Sequence, residues 1–405
     1  MKKFTTTSLL LAATLLLAAT LVQAQEPQPG AREVLTPQQR QQIQAKLPEL
    51  RRELQPLAPD KRAERVTQFL AEFKDMTPAQ RRVLQDVILR QVGNVPDRNQ
   101  QGNVANPNNP FNHSLTPLTD FRTETYNGKK GGLYPDGSNK RPDAHTAEGL
   151  QIAKNIKPLD KAGNVDETNG KIVWLSVGMS NTTQSSQVFL ELMKNDSVRN
   201  PKLELVDGAF GGQEINRTRD PNAPYWNDIV EQRLKPRGLS PEQVQVVWFK
   251  QAEARPSNTN FEEYTAELKS KYATVMRIIK QKFPNVKLVY LSPRTYGGYA
   301  KSLLNPEPFA WYTGWTIKFL IEDQINGVPE LRFKGENAPV AWLSWGPYLW
   351  ANGEKPNAGG LSFVESDFLD DGTHPSTTGR QKVARELRRF FTTDETATPW
   401  FVRQP

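Results

Sequence analysis

Cysteine is absent from the 405 residues, and histidine occurs three times, at His113, His145 and His374. The first absence excludes disulfides, thiolate–zinc centres and C-x-x-C redox chemistry. The second leaves too few imidazoles for a histidine-rich metal site, so neither a metal nor a cofactor is expected. Beyond the first two dozen residues no run approaches the roughly 18 apolar residues of a membrane span, and no stable membrane insertion is expected. Basic residues outnumber acidic ones, for a formal charge of +8. They are scattered rather than striped, without the interleaved aromatics of a nucleic-acid surface, which removes nucleic acid as an expected partner.

What is present begins with a leader. Lys2 and Lys3 precede an apolar run from Ser8 to Val22, and Ala24 stands where a signal peptidase would cut. Residues 1–24 are read as a cleaved signal peptide, which makes the protein secreted or periplasmic. Loss of the two lysines takes the charge from +8 to +6, still basic. Residues 25–92 form a helical region with a loose echo: Leu35-Thr36-Pro37, Leu57-Ala58-Pro59 and Met76-Thr77-Pro78. Threonine before proline is a helix start, the hydroxyl capping and the proline filling the first helical position. Val66, Phe69, Leu70 and Phe73, then Val83, Leu84, Val87 and Ile88, follow at helical spacing. Three short helices without chemistry are expected there, read as a spacer or packing accessory in preference to a partner- or surface-binding module. Residues 93–117, rich in Asn, Gln, Pro and Gly, read as a linker. Residues 118–170 read as a loop-rich extension, with His145 as a solvated loop residue.

From Lys171 the texture changes. Apolar runs at Lys171–Val177, Leu203–Val206, Val244–Phe249, Val286–Leu291 and Val340–Leu343 predict five strands. Helical patterns over 184–194, 226–234, 261–283, 309–325 and 376–391 alternate with them. Such alternation predicts an α/β fold with a parallel sheet covered on both faces. In such sheets ligands bind outside the carboxyl ends of the strands.

Three segments end on that rim: Gly178-Met179-Ser180, Gly208 to Gly212, and Gln251-Ala252-Glu253. The turn Asp371-Gly372-Thr373-His374, before the last helix, can reach it. A serine that attacks an acyl carbon needs an imidazole to take its proton and donors aimed at the developing oxyanion. Ser180, His374 and Asp371 are the candidate triad, with Asp371 rather than Asp370 orienting the imidazole. The Ser180 amide, a glycine amide and the Gln251 carboxamide are the candidate oxyanion donors. Asn181 beside the serine, Arg294 and Tyr296 beyond the fourth strand, and Trp345 in an aromatic-rich late loop are the candidate substrate contacts. Trp311 and Trp315, four apart on a predicted helix, read as core.

On Gly178-Met179-Ser180-Asn181, Gly208-Ala209-Phe210-Gly211-Gly212 and Asp371-Gly372-Thr373-His374-Pro375, the segment 171–395 resembles the SGNH (GDSL-like) hydrolases. The resemblance implies a flavodoxin-like three-layer α/β/α sandwich. It implies Ser180 as nucleophile, His374 as base, Asp371 as its carboxylate, and an oxyanion glycine at Gly212, with Gly211 the alternative. Met179 departs from the family's G-D-S, and Gln251-Ala252-Glu253 stands in place of its Gly-x-Asn-Asp block. That triplet looks like the Gln-Gly-Glu of sialate O-acetylesterase-type carbohydrate esterases. The expectation is a secreted serine esterase acting on acylated carbohydrate or polysaccharide. Two alternatives stand beside it: a non-catalytic carbohydrate- or surface-binding protein on the same scaffold, and a lipase or thioesterase of the same fold.

Overall fold

A computed structural model describes residues 36–54, 57, 59–76, 81, 115–121 and 123–404. The expected signal peptide, the third N-terminal helix start at Thr77-Pro78, the stripe Val83 to Ile88, His113 and most of the 93–117 linker lie outside the described residues. The chain divides into two compact units, 1–103 and 104–405.

In the first unit, helices α1 (Pro37–Leu54) and α2 (Pro59–Ala71) start at the two prolines. The Gln39 amide donates to Thr36 Oγ1 at 3.2 Å, and the Thr36 amide donates to Gln39 Oε1 at 2.8 Å. This reciprocal capping satisfies two amides that a helix start leaves without partners. Ile43, Leu47, Leu50 and Leu54, spaced by fours and threes, bury one face of α1 against Val66, Phe69, Leu70 and Phe73. The predicted apolar stripe of α2 is thus the seam of a helical hairpin.

The second unit holds five strands: β1 (Ile172–Gly178), β2 (Leu203–Asp207), β3 (Val244–Lys250), β4 (Leu288–Leu291) and β5 (Trp342–Trp345). All pairings are parallel and the order is β2-β1-β3-β4-β5. This is the flavodoxin-like order, in which β1 is the strand at which the winding direction reverses. Every residue of β1 and β3 is buried, because helices cover both faces. On one face Trp174 and Trp248 stack at 6.1 Å and Trp174 meets Phe189 and Phe391. Those phenylalanines belong to α4 (Ser180–Met193) and α7 (Thr377–Thr393). On the other face Phe249, one residue on from Trp248, packs edge-on against Tyr272 at 5.0 Å. Tyr272 lies on α5 (Phe261–Lys282), which pairs with α6 (Phe309–Ile325). Period-two side-chain alternation therefore assigns each helix pair to its layer. Among the described residues no helix is long and apolar enough to cross a membrane.

Several expectations need correction. Helix α4 begins at Ser180, four residues before the predicted start. Strand β5 lies two residues later than predicted, because its pairing with β4 joins Leu288 to Trp342 and Leu291 to Trp345. The predicted loop around His145 contains helix α3 (Asp143–Lys154). Its Gly149 lies against Trp342, where a Cβ would come within 2.3 Å of the indole. His145 is buried rather than solvated, stacked on Trp342 at 4.8 Å and bonded through Nε2 to the Leu343 carbonyl at 2.8 Å. The core also runs past 395, since Trp400 and Phe401 are buried and Phe401 stacks on Phe391 at 5.2 Å.

Candidate active site

Strand β1 ends where the sheet's winding reverses, and the chain turns there into α4. Gly178 is required at this turn. A Cβ would lie 2.4 Å from both the Lys250 carbonyl oxygen and Thr182 Oγ1. Met179 is extended, and Ser180 is the first helical residue. The first amides of a helix lack intrahelical acceptors and carry the positive end of its dipole. A serine at this position therefore has its own amide available to a developing anion.

The partner turn comes from the other end of the chain. Asp371 Oδ1 accepts from the amides of Thr373 and His374, both at 2.9 Å, and Asp371 Oδ2 meets His374 Nδ1 at 2.5 Å. Burial works to raise the Asp371 carboxyl, but the His374 ring and these two amides outweigh it and hold it at about 2. An ionised carboxylate only accepts, so His374 Nδ1 carries a proton, and in the neutral imidazole Nε2 is then the nitrogen with the lone pair. That Nε2 lies 2.7 Å from Ser180 Oγ.

Gly372 makes the turn possible. Its φ is +64°, and a Cβ would stand 1.8 Å from the Tyr299 carbonyl oxygen. The Lys301 amide donates to the Asp371 carbonyl at 2.9 Å and pins the turn to the loop after β4. Asp371 does not cap α7; Ser376 does, accepting from the Gly379 amide. All three candidate triad residues are half-buried.

The glycine segment follows β2 beside the end of β1. Gly208 abuts β1, where a Cβ would lie 2.6 Å from the Leu175 side chain. The Phe210 amide donates to the Gly178 carbonyl at 3.3 Å. Gly211 and Gly212 are exposed with nothing within 4 Å of a Cβ, and Gly212 takes φ +74°. The open space leaves room for a ligand, and the backbone angle favours glycine.

The other candidate contacts are placed differently from expectation. Gln251 is fully buried, with Nε2 donating to the Gln213 carbonyl at 2.9 Å and to Thr218 Oγ1 at 3.2 Å. A carbonyl can only accept, so the amide orientation is set and both its hydrogens are engaged. Gln251 anchors the segment after Gly212 instead of offering a donor to an oxyanion. Glu253 joins it, accepting from Asn216 Nδ2 and Lys271 Nζ, both at 2.9 Å.

Asn181 is turned inward, its Oδ1 accepting from Lys250 Nζ at 2.9 Å. Arg294 is fully buried, with Nε donating to Asn305 Oδ1 at 3.2 Å and neither Nη bonded. Burial lowers its guanidinium to about 10, against the opposing pull of Glu307, Asp371 and Tyr272. Tyr296 is buried between Tyr299 and Trp350. Trp345 is buried with Nε1 donating to the Leu133 carbonyl. It lines a cavity of about 680 Å³ with Arg141, Tyr348 and Asp394, a lining that includes neither Ser180 nor His374. Trp311, Trp315, Trp342 and Trp350 are core. None of the four expected substrate contacts presents its side chain openly at Ser180. Among the described residues no group of three His, Asp or Glu side chains could hold a metal ion.

Two residues without an expected role, Asp207 and Lys250, end β2 and β3 on either side of β1. A charged residue closing an otherwise apolar strand was the available signal.

No protein-family model matches the chain, and no curated protein matches it significantly. Among solved structures it is similar to a salicylyl-acyltransferase from a tetracycline biosynthetic pathway, at 14% identity and TM-score 0.32. That match covers 56% of this chain, which spans only 56% of the acyltransferase. It is also similar to a carbohydrate esterase family 3 protein from Talaromyces cellulolyticus, at 13% identity and TM-score 0.28, covering 53% of this chain and 94% of that one. Functional conclusions therefore rest on the site's own geometry.

Proposed function

We propose that the protein is a secreted or periplasmic serine esterase that removes acyl groups, acetyl foremost, from carbohydrate. The observation that carries it is the relay of 2.7 Å from Ser180 Oγ to His374 Nε2 and 2.5 Å from His374 Nδ1 to Asp371 Oδ2. Residues 194 positions apart in the chain meet in the order that nucleophile, base and orienting carboxylate require.

Ser180 Oγ attacks the ester carbonyl carbon as His374 Nε2 takes its proton. The oxyanion forms against the amides of Ser180 and Gly212, with the Gly211 amide as the alternative second donor. Collapse breaks the bond to the sugar oxygen, which takes the proton from His374 and leaves as the hydroxyl. Water, deprotonated by His374, then attacks the acyl-serine carbonyl; the acyl–Oγ bond breaks, His374 returns the proton to Ser180 Oγ, and the carboxylic acid leaves. Asp371 stays ionised and holds the transient imidazolium.

Carbohydrate as the substrate rests on the likeness of Gln251-Ala252-Glu253 to the Gln-Gly-Glu of carbohydrate esterases. Export rests on the leader before Gln25. Purified protein lacking the leader should hydrolyse aryl acetates and acetylated sugars, and Ser180→Ala should lose ~10³-fold or more in kcat. No hydrolysis by wild type across aryl, sugar and longer acyl esters sinks the proposal. Preference for long-chain esters would move the substrate to lipid.

A further inference from the structure

The strands flanking β1 each end in a buried ionisable residue, and each of these grips the first turn of α4. On one side is Asp207, in register with Ser176. Its Oδ1 accepts from Ser176 Oγ at 2.9 Å and from the Ala209 amide at 3.1 Å, and its Oδ2 accepts from Thr183 Oγ1. On the other side is Lys250, in register with Gly178 and 1% exposed. Its Nζ donates to Asn181 Oδ1 at 2.9 Å, and its carbonyl accepts from Thr182 Oγ1 at 2.7 Å. The three residues after Ser180 are therefore each tied to a neighbouring strand. Asp207 also ties the start of the glycine segment to the same turn.

Apolar side chains would pack such a floor more cheaply. Desolvated ionisable groups cost free energy unless fully paired, and among the described residues neither Asp207 nor Lys250 has an ion-pair partner. Burial pushes the Asp207 carboxyl up, while burial and the nearby Arg294 charge push the Lys250 amine down. Both shifts run toward the neutral form, as burial without an ion partner dictates. Hydrogen bonds fix direction where packing alone permits small rotations, and a misplacement of about 1 Å can cost on the order of 10²-fold in rate.

We infer that Asp207 and Lys250 are positioning residues, a two-sided clamp holding the first turn of α4 so that Ser180 Oγ and its amide stay aimed at the ester carbonyl. This rests on Ser180 being the nucleophile. The clamp acts through Thr183 and Ala209 on one side, and through Asn181 and Thr182 on the other.

The test measures labelling of Ser180 by an alkyl fluorophosphonate, with kcat, KM and the thermal midpoint, in Lys250→Met, Asp207→Leu, Asp207→Asn and Asn181→Ala. Lys250→Met and Asp207→Leu should lose ~10²-fold in both labelling rate and kcat, with KM within about threefold. Asp207→Asn can still accept from Ser176 and Ala209 and turn Nδ2 toward Thr183, so it should recover most of the activity. If Lys250 acts through Asn181, then adding Lys250→Met to Asn181→Ala should cost less than about twofold more. Should Asp207→Leu fail to fold, this Lys250–Asn181 cycle and Asp207→Asn carry the decision. Wild-type labelling and kcat in Lys250→Met, or full additivity with Asn181→Ala, overturns the clamp. A wild type that is not labelled at Ser180 overturns the serine nucleophile first, and the clamp falls with it.

Discussion

The two sides of Ser180 are built differently. Toward solvent, His374 and Asp371 sit on a half-buried turn held by backbone bonds and one glycine. Toward the protein, Asn181, Lys250, Asp207 and Arg294 form a buried polar floor under an otherwise apolar sheet. Groups that move protons need access to substrate and water, whereas the groups that aim them need immobility. On the proposed mechanism the wall carries the chemistry and the floor carries the geometry, so substitutions on each should fail in different ways.

The largest effects should fall on the wall. Asp371→Asn keeps the size of the side chain but spoils the tautomer of His374, and kcat should fall ~10³- to 10⁴-fold on an aryl acetate with little change in KM. Acidity sharpens the same contrast. Because the Asp371 carboxyl is held at about 2, its contribution to stability is fully present above the unfolded value of about 3.9 and is lost as pH falls through about 2. Acid unfolding curves of wild type and Asp371→Asn should therefore differ above about pH 4 and converge near pH 2. A difference that survives at that acidity would detach the carboxylate from the turn.

Next comes Gly372→Ala, where a Cβ meets the Tyr299 carbonyl and the backbone is left-handed. It should cost about 1–3 kcal/mol of stability and displace the turn enough to lower kcat ~10²-fold. Gln251→Leu comes after that and separates wall from floor directly. Loss of an oxyanion donor costs ~10²- to 10³-fold in kcat. As an anchor of the segment Gln213–Thr218, Gln251 should instead give a lower thermal midpoint with kcat down only ~10-fold. The smallest effect belongs to Thr36→Ala in the first unit. Loss of its cap should cost about 1 kcal/mol in thermal unfolding and leave ester hydrolysis at the wild-type rate.

The Asp371–His374 spacing, Ser180 after an apolar strand, and the strand–helix alternation were legible because each is local and periodic. The four expected substrate contacts were misplaced for one shared reason. Position near a strand's carboxyl end says which rim a residue occupies, but not which way its side chain turns. Asn181 follows Ser180 in a helix, where each residue advances about 100°, so one of the pair faces the cleft and the other the floor. Arg294 and Tyr296 lie after β4 and are both buried, Tyr296 against Trp350, a burial no single-residue property predicts. Helix α3 escaped notice because its apolar face is weak and a glycine sits in its middle. That glycine is what lets the helix approach Trp342.

By itself the sequence determined the five strands and the helices that alternate with them, because hydrophobic period, proline and glycine act over a few residues. It also determined the Asp371–His374 pair of the candidate triad, because the Asp371 side chain bonds the Thr373 and His374 amides and the His374 ring within one turn. Only the tertiary structure decided that β1 lies between β2 and β3, and so that Asp207 and Lys250 close on the first turn of α4 from both sides. Strand order depends on contacts between residues far apart in the chain. The direction of each side chain at the rim depends on which neighbour excludes water from it.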